Sequence, residues 1–88
     1  MDRTTKPIHL TWHAEQQLER RGVTEEEIIE AIRMAEWKPA ELGRLECRKN
    51  YRYGRRWNDV YYDTKQVRPI FVDEPQGIVV VTVYSYFL

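Results

Sequence analysis

The stretch Ile78-Val-Val-Val-Thr-Val-Tyr-Ser-Tyr-Phe87 decides the fold. Four β-branched apolar residues in succession, followed by aromatics alternating with small polar residues, make a strand. Alternation across that strand puts Val79, Val81, Val83, Ser85 and Phe87 on one face and Ile78, Val80, Thr82, Tyr84 and Tyr86 on the other. The first face is expected to carry helices. The second passes from apolar to hydroxyl-bearing halfway along, as a sheet does where its core gives way to a cleft. Thr82, Tyr84 and Tyr86 are therefore expected on the floor of any site, although rim tyrosines on a half-exposed sheet would give the same pattern.

Working outward, Asp73-Glu-Pro-Gln-Gly77 reads as a hairpin connection into this strand. Val67–Asp73 is expected as its partner, with Pro69 at a bulge or a strand start. Thr64-Lys-Gln66 is expected to turn the chain, Trp57–Asp63 to form a further strand, and Tyr53-Gly54-Arg55-Arg56 another turn. Before these, Leu45–Arg52 alternates as an extended segment. The period upstream is helical. Thr11 is an N-cap and Gly22 a left-handed C-cap for a helix over Trp12–Arg21. Thr24 and Glu27 form a capping box, with Val23 stapling onto Ile28, for a second helix reaching Glu36–Trp37. Ile28, Ala31, Ile32 and Ala35 form its apolar stripe. Two helices followed by a meander predict an α+β fold with both helices on a three- to four-stranded antiparallel sheet. At 88 residues, the chain is read as a single domain.

Net charge is zero, yet unevenly spread. Residues 1–43 carry six Lys/Arg against nine Asp/Glu, and residues 44–88 carry eight against five. Arg44–Arg56 holds six cations and one acid, Glu46. Such a stripe, with Tyr51, Tyr53 and Trp57 interleaved, suits RNA phosphates and bases, or equally a charged edge strand protected from aggregation. No apolar run approaches membrane length, the polar Met1–Pro7 does not read as a signal peptide, and a lone Cys47 offers no thiol set. A cytoplasmic protein without a membrane partner is expected.

Strong catalytic signatures are absent: no glycine-rich phosphate loop, no nucleophile elbow, no cysteine pair. His9 and His13 lack further ligands nearby, so no metal and no cofactor is expected. What remains suits metal-free phosphoryl transfer. His13, Gln17 and Arg21 are spaced to lie along one line of the first helix. His13 can move a proton near neutral pH. Arg21, Lys65 and Arg68 can neutralise a phosphate as charge develops on it, and Tyr84 or Tyr86 can orient an oxygen or stack on a base. RNA brings its own nucleophile, the 2′-hydroxyl. Each residue also has a plain structural explanation as a helix-end histidine, a surface ion pair or a rim tyrosine.

His13-Ala14 through Arg20-Arg21-Gly22-Val23-Thr24-Glu25-Glu26-Glu27-Ile28, with the closing Val80-Val-Thr-Val-Tyr84, resembles the domain of unknown function 4258 family across nearly the whole chain. The resemblance implies a RelE-like toxin fold and a metal-independent endoribonuclease of a toxin–antitoxin pair. It carries over onto His13, Arg21, Thr82 and Tyr84; joined to the residue-level reading, this puts His13, Arg21 and Tyr84 in catalysis and Gln17, Lys65, Arg68, Thr82 and Tyr86 around the substrate. It implies RNA and a cognate antitoxin as partners, with a homodimer as a further expectation. Gln17 stands where the family has an arginine, and the neutral net charge departs from strongly basic relatives. Both departures suit an alternative: a non-catalytic module that keeps the fold and binds RNA or protein.

Overall fold

Thr11 and Thr24 start the two helices. In the computed structural model, which describes residues 5–88, Thr11 Oγ1 accepts from the Ala14 N–H at 3.1 Å. Helix α1 then spans Trp12–Arg21 and ends at Gly22, whose φ of 65° is the left-handed cap expected of it. The reading of Met1–Pro7 rests partly on residues 1–4, which lie outside the described residues. The Thr24/Glu27 capping box opens α2, Glu25–Met34, with Val23 and Ile28 both buried across it. This helix stops short of Glu36–Trp37. Ala35 turns extended, and the Trp37 indole folds back to donate to the Ile32 carbonyl at 2.7 Å, satisfying one of the last free acceptors.

The strands are β1 Ile8–Leu10, β2 Lys38–Pro39, β3 Leu45–Glu46, β4 Lys49–Trp57, β5 Val60–Glu74 and β6 Gly77–Phe87. They form one six-stranded sheet in the order β1-β6-β5-β3-β2, with β4 also paired to β5. The α+β class holds, but the three- to four-stranded antiparallel sheet is corrected to a six-stranded mixed one. The parallel element is β1, which pairs Ile8 with Ile78 and Leu10 with Val80. Three residues are too few to show alternation, and their partner lies at the far end of the chain, so no local pattern announces the pairing.

Two expected turns are strand instead. β4 runs past Tyr53-Gly54, where Gly54 (φ 61°) lies at a register shift, and β5 runs unbroken through Thr64–Gln66. The chain reverses at Asn58-Asp59, both at positive φ (51° and 69°), as a two-residue hairpin between right-twisted strands requires. Pro69 lies within β5, a central strand. Glu46 pairs with Ile70 and Lys49 with Val67, which sets Cys47 across from Pro69. The gap between β3 and β4 thus falls opposite the residue that has no N–H to give.

The faces of β6 follow a bulge. Thr82 pairs with Ile70 but Val80 pairs with Phe71, leaving Val81 as the extra residue. A single insertion inverts the alternation before it. Val83 faces the helices as expected, with Ser85 beside Arg21, but Ile78 and Val80 join them instead of Val79 and Val81. Ile78, Val80, Val83, Phe71, Ile28 and Ile32 are all fully buried in the core between sheet and helices. Thr82, Tyr84 and Tyr86 remain on the far face, paired with Ile70, Arg68 and Gln66.

Candidate functional site

β1 covers β6 only as far as Val80; beyond that, α1 lies along the margin of the sheet. Its start is tied to β6 by Thr11, whose N–H donates to Val80 O at 2.9 Å and whose hydroxyl donates to Val81 O at 3.3 Å. Its end is tied by Ser85, whose hydroxyl donates to Arg21 O at 2.6 Å. Ala14 faces the core, and the line His13, Gln17, Arg21 runs along the rim toward the far face of the sheet.

His13 Nε2 lies 3.4 Å from Thr82 Oγ1. Gln17 is only 6 % exposed, and its Oε1 accepts from Arg21 Nε at 2.9 Å, which aims the guanidinium. Arg21 Cζ then stands 5.2 Å from the centre of the Tyr84 ring. Arg68, directly across the ladder from Tyr84, brings a second guanidinium to 5.4 Å from the same ring. The aromatic quadrupole attracts each of the two cations to the Tyr84 ring. Arg68 also donates through Nη1 to Tyr86 OH at 3.2 Å, and through Nε to Glu46 Oε2. That hydrogen bond from Arg68 is the main reason the Glu46 carboxyl titrates below the usual carboxylate range, partial burial opposing it. The guanidinium is correspondingly raised.

A cleft of about 570 Å³ opens on this face between the Glu41–Gly43 turn and β6, reaching Arg44, Glu46, Arg68, Ile70, Thr82 and Tyr84. Thr82 and Tyr84 belong both to this cleft and to the His13/Arg21 margin. The structure thus brings His13, Gln17, Arg21, Arg68, Thr82, Tyr84 and Tyr86 together from α1, β5 and β6.

Lys65 lies elsewhere. It is 4 % exposed on the helix side, where Nζ donates to the Gly22 carbonyl at 2.8 Å and to the Glu27 carboxylate at 2.8 Å. Three positions along β5, an odd number, set it on the opposite face of the sheet from Arg68. The aromatics of the basic stripe are also occupied within the fold. Tyr51 donates to the Glu27 carbonyl at 3.0 Å, Trp57 stacks on Phe87 at 4.9 Å, and Tyr53 meets Phe87 edge-on at 5.2 Å. Burial and the nearby Glu30 push the Tyr51 phenol upward.

Glu46, Ile70 and Leu42 escaped the sequence reading as site residues, and Arg44 entered it only as part of the basic stripe. For Glu46 a signal existed: it is the lone acid in a strongly basic segment. Among the described residues, no group of three or more His, Cys, Asp or Glu could hold a metal ion, and no helix is long and apolar enough to cross a membrane. No family model, curated protein or solved structure matches this chain.

Proposed function

We propose that this chain is a toxin-type, metal-independent endoribonuclease on a RelE-like fold, acting in the cytoplasm and held in check by a cognate antitoxin. One observation carries the proposal: His13 and Arg21, two turns apart on α1, meet Thr82 and Tyr84 where Arg68 arrives from the neighbouring strand. An exposed imidazole against Thr82 and two guanidinium groups against Tyr84, on one strand face, supply the parts for in-line transfer within RNA. His13 takes the proton from the 2′-hydroxyl as its oxygen bonds to phosphorus. The bond from phosphorus to O5′ breaks, and the departing oxygen takes a proton from water. Arg21 and Arg68 stabilise the extra negative charge of the transition state, and Gln17 holds Arg21 in place.

Labelled RNA incubated with chelator should be cut to leave a 2′,3′-cyclic phosphate. His13→Ala should slow cutting by roughly two to four orders of magnitude. Full activity in His13→Ala would move the proton role to another side chain. A second reading, a binding module without catalysis, draws on the Glu46 carboxylate that already neutralises Arg68. Folded wild-type protein that never cuts RNA, free or on ribosomes, would favour it.

A further inference from the structure

The turn that overhangs the cleft is built in an unfavourable way. Leu42 adopts φ 60° and ψ 33°, a left-handed conformation that a leucine rarely occupies. Its side chain is not repaid by burial, being 82 % exposed. A singly exposed leucine is ordinary, but one held in a strained conformation at the rim of a cleft has no packing explanation. Ile70, 7 % exposed, lines the same cleft, so its lining has apolar side chains from both the turn and the sheet beside the acids Glu41 and Glu46. Arg44 and Arg68 supply cations to the same space, and Thr82 and Tyr84 connect it to His13 and Arg21.

We infer that this cleft receives one unpaired RNA base beside the phosphate held at Arg21 and Tyr84, with Leu42 closing over the base and Arg44 holding the neighbouring phosphate. The inference rests on RNA as the substrate. About 570 Å³ is within the range of small-ligand sites and suits a single nucleotide rather than a stacked duplex. A flat base fills an apolar slot, and a plane of Arg68 guanidinium beside it is a stacking surface. A paired base cannot enter without leaving its helix, so single strands are preferred.

The test separates binding from cutting. A labelled 2′-fluoro RNA of about eight nucleotides, which lacks the 2′-hydroxyl nucleophile, reports affinity alone. One abasic position should cost about tenfold in affinity, and a duplex should bind more weakly than the single strand. Leu42→Gly should raise Tm, because glycine accepts the left-handed turn, while weakening the intact strand about tenfold and the abasic strand hardly at all. Leu42→Gly with a raised Tm and undiminished binding would overturn the proposal, as would indifference to every abasic position. Ribonucleotide cleavage is scored separately. Base-dependent binding without cutting keeps the base site and removes the nuclease, whereas cutting without base dependence does the reverse.

Discussion

Glu46 is the residue on which the electrostatics of the far face turn. Its carboxylate accepts from Arg68 and lies 3.9 Å from Arg48 Nε, so it offsets cations that an RNA phosphate would otherwise meet. Its folded-state pKa is depressed below the ordinary 4.5, chiefly by the Arg68 hydrogen bond. The stabilisation it brings is therefore present above the unfolded value and is lost as pH falls through the folded one. Glu46→Gln should lose that dependence: the stability gap between wild type and variant, measured by urea unfolding, should be widest near neutral pH and close in acid. A gap of constant size across the series would mean the carboxylate is not paired in the native state. The same variant should bind RNA more tightly at neutral pH, since Arg68 then lacks its internal counter-ion.

At the scale of elements, α1 does two jobs through two lines of residues. Ala14 and Leu18 join the core cluster, while His13, Gln17 and Arg21 run along the rim. Gln17 is the joint between them, buried yet hydrogen-bonded to the side chain it positions. On the proposed nuclease reading, Gln17→Arg would add a phosphate-binding cation. The burial argues the opposite: a second guanidinium would be desolvated beside Arg21 with no carboxylate to meet it. Gln17→Arg should destabilise the fold by about 1–3 kcal/mol and lower cleavage. Denaturant unfolding with parallel RNA assays checks this, and a stable, more active variant would contradict it.

The whole molecule is elongated, 42 Å against 23 and 22 Å in the other directions, and β4 and β5 form a long hairpin within it. An aromatic group anchors it: Trp57 stacked on Phe87, Tyr53 edge-on to the same ring, and Tyr62 at 5.6 Å. The Trp57 ring rests on the α1 cap, so that a Cβ at Gly22 would sit 2.7 Å from it. Gly22→Ala should therefore cost more than its left-handed φ alone implies, about 2–4 kcal/mol. Pairing it with Trp57→Ala should recover the steric part, because the ring is gone. Strict additivity in that double-mutant cycle would show that helix cap and hairpin are not in contact in solution.

Local chemistry was legible along the chain. Thr11, Gly22, the Thr24/Glu27 box and the Pro75 hairpin depend on interactions within a few residues, and each appears where the side chains place it. The polar line of α1 was equally legible, since helical spacing alone aligns His13, Gln17 and Arg21. The Asn58-Asp59 reversal was legible in principle, both residues tolerating positive φ, but Gly54 offered the stronger local signal and the register of β5 overruled it. What depended on contacts across the chain was decided only by the tertiary structure. Strand β1 forms on the edge that β6 offers it, and the Val81 bulge is set by the register of β6 against β5. Lys65 and Arg68 differ by three positions in an extended strand, so one faces the helices and the other the cleft. Alternation determines that two such residues must part. Only the packing of α1 and α2 onto one side of the sheet decides which of them stands at the site.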